Sequence, residues 1–218
     1  MNKYKNYFME ISDTYNPIDY SFINIISKER KRKIINYQSY IDFKLGLYSE
    51  LLIRLYICST FNIKNDKINI QVDKYGKPFI SNIPNIHFNI SHTNNVLVVA
   101  FSKSNIGIDV EKINSFNFKI AERFFTVPER NYIINNSNQN LAFYEIWTKK
   151  EAYIKFTGLG LSKRLNSFNV LDAKLKNKLY TINKNNYLVS ICSKQLSTPP
   201  NLISLNEDEF LKKISLIK

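Results

Sequence analysis

The sequence predicts an α+β fold of two similar halves, with antiparallel sheets and packed helices. Three observations predict it. Helix-type spacing and strand-type runs follow one another in the order helices, strands, helices, strands. The two rounds meet near residues 103–106, which divides the chain into an N-terminal half, 1–103, and a C-terminal half, 104–218. The 218 residues are 44% hydrophobic and include 14 Tyr and 15 Phe, enough to build one large core or two smaller ones. No residue-level repeat links the halves.

Residues 5–12 read as a short strand. Between Pro17 and Phe61 the apolar spacing is helical, in a basic piece around 27–36 and a longer one over 39–60. In the longer piece Leu47, Leu51, Leu55 and Ile57 lie near one face. INIQV (68–72) is a strand, and DKYGKP (73–78) is a turn closed by Gly76 and Pro78. Three β-type runs follow, HFNIS (87–91), VLVVAFS (96–102) and IGIDVEKI (106–113), separated by Asn/Ser-rich turns. Helical spacing returns over 118–125, 128–134 and 139–158, and Pro128 suits a first turn, where its missing N–H costs nothing. FNVL (168–171), KLYTI (178–182) and NYLVSICS (186–193) close the second half as strands. Beyond Lys194 only EDEFLKKI carries a helical pattern.

No segment approaches the ~18 uninterrupted apolar residues of a membrane helix. MNKYKNYFMEISDTY lacks the apolar run of a signal peptide. Cys58 and Cys192 sit singly in apolar stretches, which indicates neither a disulfide framework nor a zinc site. The expectation is a soluble, cytoplasmic protein without a membrane partner. A formal charge of +13 points to an anionic partner: nucleic acid, a phosphorylated metabolite or an acidic protein. Abundant Asn, Ile, Lys and Tyr also fit AT-rich coding, which adds lysine without a binding role. A basic nucleic-acid-binding protein is thus one alternative. Against it, the aromatics are not interleaved with basic residues in any recognisable nucleic-acid motif.

In IGIDVEKI, strand alternation puts Asp109 and Glu111 on one face. Paired carboxylates repel, and are tolerated on a polar outer face or around a hard cation such as Mg²⁺. In WTKKEAYIKFTGLGLS (147–162), Trp147, Glu151 and Lys155 recur every four residues along one stripe, with Lys150 beside it. That stripe is either an ordinary Glu–Lys pair anchored by tryptophan, or a third carboxylate facing Asp109 and Glu111 with lysines ready for phosphate. The second arrangement suits a diphosphate bound through a metal. His92 and Ser91 in NISHT serve either local hydrogen bonding or phosphate donation. SKERKRK (27–33) by itself is a solvated run, and Lys77 follows the tight turn of KYGKP.

The order and spacing of FNISHT, IGIDVEKI, RFFTVPE and WTKKEAYIKFTGLGLS resemble those of the Sfp-type 4′-phosphopantetheinyl transferases over about residues 26–170. The family's (I/V)G(I/V)D(I/V)E strand is matched by Ile106–Glu111, its F(F/S)xxE segment by Phe124–Glu129, and its WxxKEAxxK helix by Trp147–Lys155. The resemblance implies the family's fold, and transfer of 4′-phosphopantetheine from coenzyme A to a serine of an acyl or peptidyl carrier protein, with release of adenosine 3′,5′-bisphosphate. It implies Mg²⁺ on Asp109, Glu111 and Glu151. It further implies Lys150 and Lys155 on the coenzyme A pyrophosphate, with Ser91 and His92 on its phosphates. Arg30 and Lys33 would meet the 3′-phosphate, Lys77 would lie near the adenine, and Glu129 would be the general base. Catalytic roles would thus fall to Glu129, Glu151 and Lys155. The second helix departs from the family's DxxRxLxG, because Leu45 stands at the arginine position with Lys44 beside it. A chain of this length with two halves favours a pseudodimeric monomer over the short trimeric synthases. A catalytically weak scaffold member is a further alternative. For an acidic carrier, the expected docking patch is Phe116 and Phe118 exposed beside Lys119 and Arg123.

Overall fold

The computed structural model describes residues 4–194 and 199–217, so residues 195–198 of the tail lie outside it. The first half contains β1 (Tyr4–Glu10), α1 (Ile18–Ser21), α2 (Lys28–Ile34), α3 (Tyr40–Phe61), β2 (Ile70–Val72), β3 (Pro78–Ile80), β4 (His87–Thr93) and β5 (Val96–Ser102). The second contains β6 (Ile106–Lys112), α4 (Phe118–Phe124), α5 (Val127–Ile134), α6 (Gln139–Thr157), β7 (Leu179–Lys184) and β8 (Tyr187–Ser193). The tail adds β9 (Leu202–Ser204) and α7 (Glu207–Ile214).

Strand order is β4-β5-β1-β9 in the first sheet and β6-β8-β7 in the second, with β2 and β3 as a separate hairpin. Alternation sorts their side chains. In β5, Leu97, Val99 and Phe101 face α3, while Val96, Val98 and Ala100 face the second half. Ile106, Ile108 and Val110 of β6 and Tyr187, Val189 and Ile191 of β8 meet the latter across a central apolar layer. β5 and β8 are therefore buried on both sides, which is why VLVVAFS reads as an unbroken apolar run. Helix α6 covers the outer face of the second sheet, with Phe143, Ile146 and Ala152 in its core. The β7–β8 loop is Asn185-Asn186, both at positive φ, as a two-residue hairpin requires.

Sequence and structure differ in four places. FNVL (168–171) is turn rather than strand, because its backbone carbonyls serve a buried lysine described below. Residues 78–80 are a short strand. Helix α3 is buried continuously from Phe43 to Arg54, not on one face, since α2, the first sheet and α7 all pack on it. Finally, β9 pairs in parallel with β1, the one parallel pairing among the described strands. It arrives from the other half rather than through a hairpin, so nothing imposes an antiparallel direction. Behind it, α7 inserts Phe210, Leu211 and Ile214 into the first half's core.

Glu207 at the start of α7 accepts from Lys44 Nζ (2.5 Å), Tyr48 Oη (3.0 Å) and Ser12 N (2.7 Å). The tail is thus stitched to the first half by charge as well as by packing. Phe210→Ala should cost about 3–5 kcal/mol of stability by leaving a cavity against Tyr48. Urea unfolding followed by Trp147 fluorescence in the other half would show whether the two halves melt together.

Candidate active site

Strand β6 crosses α6 so closely that a Cβ on Gly107 would sit 2.0 Å from the Ala152 carbonyl oxygen and 2.5 Å from Phe156 N. Both are helix backbone and cannot yield, so only glycine fits. The crossing lays Asp109 against the last turns of α6. Asp109 Oδ1 accepts from Lys155 Nζ (2.7 Å) and from Ser91 Oγ (2.9 Å), and Lys155 also donates to Ser91 Oγ (2.9 Å). Asp109 Oδ2 is buried and has no partner.

Strand β4 supplies the other wall. Asn89 Oδ1 accepts from Ile108 N (2.8 Å), Ser91 meets Asp109, and Thr93 Oγ1 donates to Glu111 Oε2 (3.1 Å). These three residues share one face of β4 by parity, and their side chains form the seam between the halves. His92 has the opposite parity and lies on the exposed side. The protein around it still partly desolvates the ring, which holds its pKa below the ordinary value; Lys155, Arg30 and Lys33 push the same way and Asp42 opposes them. Ser91 and His92 therefore do not act as one pair.

Glu111 and Glu151 are both held above the usual carboxylate range, first by burial and then by the charge of Asp109. Thr93 and Lys155 counter this for Glu111, and Lys155 for Glu151. The three expected carboxylates are thus near enough to repel. Among the described residues, no three Asp, Glu, His or Cys side chains close into a metal-holding group.

Arg30 and Lys33 stand on α2, whose N-terminus is fixed by Ser27. Its hydroxyl accepts from Arg30 N (3.2 Å) and donates to the buried Glu50 (2.8 Å), which Arg54 neutralises (2.8 Å). Together with Gly76 and Pro78, Arg30 and Lys33 line a hollow between α2 and the β2–β3 turn. Beyond that turn a second hollow runs between Tyr75–Pro78 and Ile154, Lys155 and Gly158. Lys77, expected near a ligand, instead donates to the carbonyls of Lys155 (2.7 Å) and Ile106 (3.4 Å). Leu45 is buried, and Lys44 points into the core toward Ser12 O (2.6 Å) and Glu207. Lys44 therefore cannot stand in for an arginine in the groove.

Three further expectations need correction. Lys150 does not reach the groove. It is completely buried, paired with Glu129 (2.8 Å), and donates to the carbonyls of Leu165 and Phe168 (2.7 Å each). Glu129 is equally buried, its Oε2 accepting from Thr126 N, Thr126 Oγ1 and Lys150 and its Oε1 from Val170 N. It has no free lone pair facing solvent, so it cannot take a proton from an incoming hydroxyl in this conformation. The capping box that makes Glu129 a helix start also consumes it. The exposed Phe116–Phe118 patch is not formed either. Both rings are half-buried in the second core, Phe116 stacking on Phe143 at 4.4 Å. Phe124, by contrast, lines a cleft with Arg123, Glu151, Ile154, Lys163 and Arg164. Nothing in the sequence marks that cleft, because Lys163 and Arg164 come from a glycine-rich turn. The parity of FNISHT does mark Asn89 and Thr93.

Two family profiles match the chain: "4′-phosphopantetheinyl transferase superfamily" over residues 105–208 and "4′-phosphopantetheinyl transferase, N-terminal" over 14–104. The 4′-phosphopantetheinyl transferase gsp of Aneurinibacillus migulanus is 39% identical over 73% of this chain and 67% of its own length. The 4′-phosphopantetheinyl transferase Sfp of Bacillus subtilis is 35% identical over 68% of this chain and 67% of its own. An L-aminoadipate-semialdehyde dehydrogenase-phosphopantetheinyl transferase of Xenopus laevis is 32% identical over 64% of this chain and 52% of its own.

Because the Lys150–Glu129 pair is fully buried, removing one partner strands the other's charge. Lys150→Met should cost about 3–5 kcal/mol, and adding Glu129→Gln should recover part of that loss. Chemical denaturation of the two single variants and the double variant measures the coupling.

Proposed function

Because this chain belongs to the 4′-phosphopantetheinyl transferase superfamily and is an enzyme of that class, we propose that it moves 4′-phosphopantetheine from coenzyme A to a serine of an apo carrier protein in the cytoplasm, as a pseudodimeric monomer, releasing adenosine 3′,5′-bisphosphate. The observation that carries this reading is Asp109, held against Lys155 at the seam of the halves with a buried, unpartnered Oδ2. Beside it lie two carboxylates whose pKa values are raised. Such a set of hard oxygens lacks positive charge, and that chemistry fits Mg²⁺. Asp109, Glu111 and Glu151 would hold the ion, which when bound would neutralise the donor's pyrophosphate.

The remaining steps fall to the chain's own groups. Arg30 and Lys33 form the positive end of the groove and, with the neutral His92 imidazole as a hydrogen-bond donor, receive the nucleotide phosphates. Lys155 leaves Asp109 for a pyrophosphate oxygen and stabilises charge on the leaving phosphate as the serine oxygen attacks the β-phosphorus. Glu151 borders both the seam and the Arg123–Arg164 cleft, so it faces the side open to the acceptor. The serine proton passes to water on that open side, since Glu129 is enclosed and a carboxylate holding Mg²⁺ is a weak base. Arg123, Lys163 and Arg164 give that cleft the charge an acidic carrier would meet, in keeping with the overall +13. The decisive experiment is intact-mass analysis of an apo carrier incubated with coenzyme A, Mg²⁺ and the protein. A gain of one phosphopantetheine supports the reading, and no gain with any carrier class sinks it.

Two predictions follow from the carboxylates and from α3. Groups with raised pKa values are more stable protonated, so without divalent ions the fold should gain stability as pH falls through the range of Glu111 and Glu151. Mg²⁺ needs those carboxylates ionised, so its stabilising shift in melting temperature should be largest near neutral pH and fade as acidification protonates Glu111 and Glu151. Asp109→Ala should remove the shift altogether; an unchanged shift would refute the metal assignment. With Leu45 buried and Lys44 turned inward, 3′-dephospho-coenzyme A should serve as donor within about tenfold of coenzyme A in kcat/KM, a difference of no more than ~1.4 kcal/mol. A much larger preference would mean that Arg30, Lys33 and His92 suffice to read the 3′-phosphate.

A further inference from the structure

Lys77 belongs to the first half, yet both acceptors of its ammonium belong to the second. The turn that carries it is built rigidly. Asp73 Oδ1 accepts from Tyr75 N (2.8 Å) and Lys77 N (2.9 Å), Asp73 N donates to Lys77 O (2.9 Å), and Gly76 takes φ +85°. From this platform the lysine stem crosses the floor of the hollow between the β2–β3 turn and the end of α6.

Its strongest acceptor is the Lys155 carbonyl, one of the last carbonyls of α6, which lack partners within the helix. A cation at a helix C-terminus is also favoured by the helix dipole. The second acceptor, Ile106 O, is adjacent to Gly107, where β6 presses on the same helix. The turn also approaches the second half at Gly160, where an added Cβ would lie 3.7 Å from Tyr75 Cβ. Lys77 therefore ties together the nucleotide side of the groove, the β6–α6 crossing, and the residue whose side chain holds Asp109.

We propose that Lys77 is a positioning residue: it clamps the β2–β3 turn of one half onto the end of α6 in the other, which fixes the width of the donor groove and the aim of Lys155. The role in catalysis rests on the transferase reading above; the clamp itself does not. The ammonium contributes through two backbone carbonyls and touches no donor atom.

The test uses the full chain with Lys77→Met, which keeps the stem and removes the donors, and Lys77→Arg, which restores them. Amide exchange of the free protein over residues 73–80 and 155–160 should accelerate at least tenfold in Lys77→Met and return toward wild type in Lys77→Arg. In the transfer assay Lys77→Met should raise KM for coenzyme A about tenfold and lower kcat, while KM for the carrier stays within twofold. Unchanged exchange in the free protein would overturn the clamp, since a direct ligand contact has no effect before ligand binds. Faster exchange with unchanged coenzyme A kinetics would overturn the positioning role. Absence of transfer by the wild type would defeat the functional reading while the exchange measurement still decides the clamp.

Discussion

The contact of Gly107 with the backbone of α6 is the constraint from which the rest of the site follows. A side chain there would have to displace a helix carbonyl, so strand and helix would move apart and the 2.7 Å Asp109–Lys155 hydrogen bond would be stretched. With glycine, a strand of one sheet and a helix on its outer face come into backbone contact. The carboxylates at 109 and 111 then share their environment with those at 151 and the lysine at 155. The third core reinforces this from the other side, because Ile106, Ile108 and Val110 press on the first half's sheet. One face of β6 holds the halves together and the other carries Asp109 and Glu111 toward α6.

A chain with 31 Lys and Arg could be expected to wear its positive charge outside, yet several of these cations are structural. Lys44, Arg54 and Lys150 are buried, each against a glutamate: Glu207, Glu50 and Glu129. Lys44–Glu207 ties α3 to the tail and Lys150–Glu129 ties α6 to α5, while Arg54–Glu50 lies within α3 and holds the carboxylate that Ser27 at the start of α2 meets. Such pairs give little net stability but penalise any arrangement that separates them. Their benefit here is register. Lys150 illustrates the cost to inference from sequence, since four apolar or backbone neighbours conceal a residue that looks like a phosphate ligand on a helical wheel.

The longer strands β1, β4, β5, β6 and β8 and the two long helices α3 and α6 were legible because periodicity records which face is buried. Asp109, Glu111, Glu151 and Lys155 were legible because spacing on a strand and a helix fixes which side chains share a face. Three things were not. The turn at 168–171 looks like a strand because Phe168 and Val170 are apolar, while the lysine that claims its carbonyls is 18 residues away. The homing of α7 to the first half depends on Glu207 finding Lys44 and Tyr48, a match no local window contains. The fates of Lys150 and Glu129 depend on one another, and pairing at a distance has no periodicity. Strand parity, in contrast, already separates Ser91 from His92.

The seam explains why two halves are needed at all. Asn89, Ser91 and Thr93 come from the first half and meet Ile108, Asp109 and Glu111 from the second, so neither half alone satisfies the polar groups of β6. On one flank of α6 the turn at Tyr75–Pro78 approaches Ile154 and Lys155. On the other flank Arg123, Lys163 and Arg164 approach Glu151 and Ile154. Two hollows with different walls therefore share one turn of helix. The carboxylate at 151 and the ammonium at 155 lie one turn apart on the helix that borders both hollows.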